Sequence, residues 1–366
     1  MTVWRGPDLR TFNGGTMASL RALFRSARTA RPTPRPAHGP FPAEDEVLLD
    51  VPDDRLAPAL VAAGQGAYGP AAALLAGTRA AADWEARDRY VHRLALFARS
   101  RVEWLDDWHA AAPQDPDLLV LRAQLAVDHA WDSPARTEML RAVNPVITAA
   151  ARGDDRDPVP WRIALDHARG SNAGHRYFEE LWEAAVRRAP HHYGCHVAAL
   201  RYLATYWHGS HHECFDFADL AAQDAPADSL VQALPARAAF AYLTDDCGPE
   251  VPRTRLDAAA DRAIALSARF PAADLWPAEV RNKLMYLLVR LERWEAARAQ
   301  LHLIGPYVTS FPWDRLSDDP LGHFVRLRAD LLAGTEPLLE AGTVPSPRST
   351  GRPRTEHGGH VTADDH

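Results

Sequence analysis

Lysine is nearly missing from this chain. Of 41 basic side chains only Lys283 is a lysine, so the positive charge is arginine. A GC-rich coding sequence produces that bias, which is no binding signature in itself. Cysteine is scarce and odd in number, with Cys195, Cys214 and Cys247 alone. No apolar segment with a small-residue cleavage site near the start marks a secretory leader, so reduced thiols and a cytoplasmic setting are expected. No apolar run approaches the ~20 residues of a membrane-spanning helix. Strand-like alternation is almost absent, and the best strand candidates, Glu46 to Val51 and Tyr307 to Phe311, are short and isolated. No G-x-x-x-x-G-K-[ST], G-x-S-x-G or H-E-x-x-H sequence occurs, which leaves phosphate-cradling, nucleophile-elbow and zincin chemistries without a basis. Carboxylates are plentiful but scattered, and none singles out a general acid and base.

What is present is a long chain with a large apolar content, 366 residues at 47% hydrophobic, enough for a sizeable core. Its charge is uneven. Residues 1–40 carry seven arginines against Asp8 alone, a charge of +6, which leaves −13 for the rest of a chain whose total is −7. Five prolines between positions 32 and 42 follow, and proline so dense neither propagates a helix nor pairs in a sheet. Residues 1–42 are therefore expected to be a disordered basic arm, with Met17 an alternative start to Met1. Peripheral membrane contact through Leu20, Leu23, Phe24 and Ala27 is the arm's membrane option. The acidic body argues against extended nucleic-acid contact. Residues 335–366 hold no aromatic side chain and too little apolar surface to offset the entropy of ordering. The ordered domain is expected over 43–334.

Across that domain apolar residues recur at i, i+3, i+4 and i+7, as in Phe178, Leu181, Trp182, Ala185 and Val186, in Leu200, Leu203, Ala204 and Trp207, and in Leu284, Leu287, Leu288 and Leu291. That spacing puts them on one helix face. Helix endings fall at Ala112-Pro113, Ala189-Pro190, Ala225-Pro226 and Phe270-Pro271, with gaps of 77, 36 and 45 residues. Counting the longest as two units gives a period of about 40, the spacing of stacked helical hairpins. Gly209-Ser210 is expected to turn one hairpin, with Ser210 and Glu213 as a capping box. The second-helix positions Ala259, Ala263, Leu266 and Pro271, and Cys214, Ala218, Ala221 and Pro226, resemble the tetratricopeptide pattern. Phe178, Trp182, Ala185 and Pro190 fit it in part, and its first-helix half is not in register. The run from Trp207 through Gly209-Ser210 to Ala218 also resembles an uncharacterised bacterial family with a Trp-x-Gly-Ser signature. These resemblances imply an all-α, right-handed solenoid of some twelve to fourteen helices. They imply no activity, because the second family has none established.

Gly64-Gln65-Gly66-Ala67-Tyr68-Gly69 satisfies G-x-G-x-x-G, but helix-like sequence precedes it, so a hairpin turn is expected and no nucleotide or other cofactor. Two His/Cys groups have ligand chemistry: His192, Cys195 and His196, and His208, His211, His212 and Cys214. They flank one helix, too far apart to share an ion, and no specific metal site is expected. The tryptophans Trp84, Trp104, Trp108, Trp182, Trp207 and Trp294 are expected in helix contacts. The leading expectation for function is a protein-interaction module with a concave groove for a peptide or partner helix. The alternative is a small-ligand or metal-binding regulatory protein or enzyme. With the leucine faces buried, Arg201, Lys283, Tyr286 and Arg290 are expected to point outward, with Tyr202 on the flank of its helix. With Arg122 and Arg237 they form an Arg/Tyr surface suited to an acidic peptide.

Overall fold

The computed structural model describes residues 41–245 and 247–334. The expected tail and nearly all of the expected arm lie outside them. Sixteen helices dominate the described residues, which hold one sheet of two very short strands. The first hairpins are α1 (Leu56–Gly64) with α2 (Gly69–Ala80), α3 (Trp84–Ala98) with α4 (Glu103–Ala111), and α5 (Pro116–Asp132) with α6 (Arg136–Ala151). Next come α7 (Val159–Gly170) with α8 (His175–Arg188) and α9 (Tyr193–Tyr202) with α10 (His211–Asp224). The last are α11 (Leu234–Asp245) with α12 (Arg253–Ser267), α13 (Ala278–Arg290) with α14 (Trp294–Ile304), then the one-turn α15 (Ser310–Trp313) and α16 (Pro320–Ala333). The sixteen exceed the twelve to fourteen expected, and the one-turn α15 is too short to show a period.

Local sequence explains most boundaries. Asp83, Asp115 and Asp319 cap α3, α5 and α16 by accepting backbone N–H groups, and Pro116 and Pro320 open their helices where no N–H is needed. Ser210 caps α10, its Oγ accepting the Glu213 N–H at 3.3 Å. Glu213 completes the pairing differently from a capping box, its carboxylate accepting the Ser210 hydroxyl at 2.8 Å. The four small-residue or aromatic plus proline breaks lie just past α4, α8, α10 and α12. Gly66, at φ 85°, turns α1 into α2 as a hairpin glycine must.

Most consecutive helices pack against each other, and each odd-numbered helix from α1 to α13 also packs on the next odd one. The odd helices thus form an inner row. α3 additionally reaches α7 and α9, so the row curls round on itself. Two apolar clusters fill the space, one from α1 to α9 and one from α9 to α16, with Leu203, Phe217 and Trp276 packed against both. Inner helices are covered on both sides: every residue of α13 from Val280 to Val289 is buried.

The two isolated strand candidates meet. β1 (Leu48–Leu49) pairs in parallel with β2 (Tyr307–Val308). A strap of residues 41–55 therefore joins the last hairpins to the first. Phe41 packs edge-on against His302, and Asp50 bonds Ser310 and Arg93. At the far end of the strap, Asp53 accepts the Tyr90 hydroxyl at 2.8 Å. The row of hairpins is closed at its ends.

Candidate functional site: a charged funnel between the inner helices

The inner helices converge at their N-terminal ends. The Glu85 carboxylate at the start of α3 accepts the Tyr193 N–H of α9 at 2.6 Å. Arg89, one turn on, donates to the carbonyls of Leu275 at 3.3 Å and Trp276 at 2.7 Å, its guanidinium lying 4.2 Å from the Trp276 ring centre. Towards their C-terminal ends the same helices part. On α3 the half-buried Glu85 and Arg89 give way to exposed His92 and to Leu96 at 48% exposure. On α13 the stripe Lys283, Tyr286, Arg290 runs from 0% and 4% exposure to exposed. Past the end of α9, Tyr206 is 61% exposed. The inner face is a funnel, closed at the helix N-termini and open at Leu96, Tyr206 and Arg290.

Its walls are charged. Arg237 of α11 donates to Glu279 at 2.7 Å, and Lys283 sits 3.7 Å from the same carboxylate and 3.2 Å from the Tyr193 hydroxyl. Both cations lie over the Phe311 ring, at 4.6 and 5.6 Å. Burial opposes ionisation of Glu279, yet Arg237 and Lys283 outweigh it and hold its pKa at about 2. On α7, Arg162 donates to Asp88 of α3 at 2.8 Å, and Arg169 to Asp166 at 3.2 Å.

Arg201 stands apart. Its guanidinium makes no hydrogen bond among the described residues, and its nearest carboxylate oxygen, on Asp166, is 3.9 Å away. Its side chain is 41% exposed although protein surrounds it, which is the signature of a wet concavity. Burial, with the nearby charge of Arg237, lowers its pKa to about 10. His92 faces the same space. Burial lowers its pKa, while Asp128 and Asp88 oppose that and Arg162 and Arg201 add to it. Burial also raises the pKa of Asp128, whose carboxylate accepts from Gln124 at 2.7 Å.

The structure brings Arg201, Arg237 and Lys283 together around Glu279 and Asp166, with Tyr286 and Arg290 continuing the α13 stripe. Lys283, Tyr286 and Arg237 are buried instead of outward-facing, because an inner helix has a neighbour on either side. Arg122 lies elsewhere, 2.9 Å from the His109 ring nitrogens of α4. Tyr202 is core, stacked on Phe178 at 3.7 Å and on His208 at 4.4 Å. Helix α9 ends at Tyr202, so Ala204 and Trp207 do not extend its apolar face. Sequence reasoning missed His92, Asp88, Asp128, Arg162, Asp166 and Glu279. The i, i+4, i+7 series Arg162, Asp166, Arg169 and the pair Glu279, Lys283 were the available signals.

Among the described residues no three His, Cys, Asp or Glu side chains are grouped to hold a metal ion. His192 caps α9, its Nδ1 accepting the Cys195 N–H at 3.2 Å, and the Cys214 thiol reaches the Leu200 carbonyl at 3.6 Å. His211 contacts the Cys247 carbonyl at 2.9 Å, while His212 is exposed. His196 is buried edge-on against Trp182, and burial lowers its pKa to about 4. Between about pH 6.5 and pH 4 the unfolded chain therefore binds a proton that the folded chain refuses, so stability falls as pH falls. Urea titrations of His196→Phe should show that slope reduced by up to ~1.4 kcal/mol per pH unit; an unchanged slope would refute the assignment.

No helix of the described residues is long and apolar enough to cross a membrane. No protein-family model matches the chain, and no curated protein or solved structure is significantly similar to it.

Proposed function

We propose that this protein is an interaction module, a right-handed α-solenoid of tetratricopeptide-like hairpins acting in the cytoplasm, whose funnel receives an acidic segment of a partner protein. The observation that carries this reading is Arg201: a guanidinium in a wet, enclosed space, without a hydrogen bond and beside further cations. An arginine fork binds a carboxylate through two parallel bonds. Lys283 and Arg237 already share Glu279, whereas Arg201 has only a loose 3.9 Å approach to Asp166, a carboxylate that also holds Arg169, and so has donors free for an incoming anion. Tyr206 and Leu96 at the mouth supply apolar contact for neighbouring side chains of the segment.

The test is a pool of Asp- and Glu-containing synthetic peptides presented to the full chain, with bound species read by native mass spectrometry. Acidic peptides should be retained by the wild type and lost on changing Arg201→Glu and Arg290→Glu together, with the melting temperature within a few degrees. Retention by the double variant, or no preference for acidic over neutral peptides, would defeat the proposal.

A further inference from the structure

The funnel charges below the mouth are almost all satisfied within the protein. Glu85 accepts from Tyr193, Asp88 holds Arg162, Asp166 holds Arg169, and Glu279 holds Arg237 and Lys283. Arg89 is spent on two carbonyls and a ring. Two charges of opposite sign are poorly satisfied. Arg201 is one: its guanidinium makes no hydrogen bond among the described residues, and the carboxylate within 4 Å of it, Asp166 at 3.9 Å, is shared with Arg162 and Arg169. The other is Asp128 on α5, which among the described residues has no cationic nitrogen within 4 Å and accepts one hydrogen bond, from the Gln124 amide. The Gln124 carbonyl oxygen is itself buried without a partner. His92 lies within electrostatic reach of both Asp128 and Arg201, makes no hydrogen bond and is open to the funnel.

We infer that the occupant of the funnel carries an amine together with its carboxylate, the carboxylate seated on Arg201 and the ammonium on Asp128. This rests on the reading of Arg201 as the carboxylate site and adds a second, cationic requirement. A weakly paired charge in a concave site gains from a close partner of opposite sign, and a ligand of both signs supplies one to each. A purely acidic ligand would satisfy Arg201 and leave Asp128 as it was. The chemistry can come from one small molecule with both groups or from an acidic and a basic side chain on one peptide segment.

Calorimetric titration of the full chain distinguishes these. The probes are straight-chain ω-amino acids of increasing length, the matching monocarboxylates and monoamines, and end-blocked peptides carrying one Glu and one Lys at increasing separations. Among the ω-amino acids or the Glu/Lys peptides, one length should bind about tenfold or more tighter than its single-charge analogues. Asp128→Asn should erase that advantage while leaving carboxylate binding, and Arg201→Gln should remove both. Binding by ω-amino acids would identify a free small molecule, and binding confined to the peptides a segment of a partner. If monocarboxylates bind as tightly as the two-charge probes, or Asp128→Asn changes nothing, the inference fails while the carboxylate site stands. If no probe binds, the inference is also overturned, and the acidic-peptide pool decides the broader reading separately.

Discussion

Replacing Arg87 with methionine is expected to lower the unfolding free energy by about 3–5 kcal/mol. Arg87 is fully buried on α3 and joins four parts of the fold. Its guanidinium lies 2.7 Å from Asp117 of α5, 2.7 Å from Asp157 before α7, and 2.9 Å from the Leu75 carbonyl of α2. Both carboxylates are also buried. Methionine fills similar volume, so the loss measures uncompensated charge more than a cavity. Asp117 keeps Arg79 at 3.0 Å, whereas Asp157 retains only the Val159 N–H at 2.8 Å. Asp157 is the exposed nerve. Burial already raises its pKa against the pull of Arg87, and without that arginine it rises further.

The sign of the pH dependence follows. A carboxyl whose folded pKa lies above its unfolded value costs stability as pH rises past the unfolded pKa. The deficit of Arg87→Met should therefore be largest near neutrality and shrink on acidification, and Asp157→Asn in the same chain should recover part of it. Urea unfolding followed by far-UV circular dichroism measures all three. A loss below about 1 kcal/mol, or no recovery in the double variant, would show that these charges are solvated in the folded protein.

Helix positions were legible because they depend on neighbours in sequence. The proline breaks mark the ends of α4, α8, α10 and α12, and Ser210 opens α10, each through backbone chemistry confined to a few residues. The funnel was legible only in part. Setting the Leu284, Leu287 and Leu288 face against its opposite supposes one buried face, but α13 lies between neighbours, so Lys283 and Tyr286 are buried as well. Pairing decides the remainder: Asp88 with Arg162 and Arg237 with Glu279 lie 74 and 42 residues apart. No local period encodes such partners. The same holds for α9, whose apolar spacing runs past Tyr202 although the chain turns there to reach Ser210.

Asp50 makes another such non-local link, and Asp50→Ala is expected to cost about 2–4 kcal/mol, counting lost charged hydrogen bonds and backbone strain. Its carboxylate accepts the N–H of Ser310, 260 residues away, at 2.9 Å, takes the Ser310 hydroxyl as well, and lies 3.4 Å from Arg93 of α3. Its own N–H donates to the Val308 carbonyl at 2.8 Å, closing the β1–β2 pair. The residue sits at φ 55°, in the left-handed region that aspartate and asparagine tolerate better than alanine. Asp50→Asn should therefore cost less than Asp50→Ala, since it keeps the backbone preference and one acceptor and loses only the charge opposite Arg93. The cost should also be local. A two-residue strand pair buries little, so the strap should open without unfolding the helices behind it. Hydrogen exchange should then quicken at Leu48 and Asp50, whose N–H groups bond Pro306 and Val308, while the amides of α13 keep their protection. If α13 loses protection in step with the strap, closure of the ring is part of one cooperative unit, and the hairpins do not hold the funnel together without it.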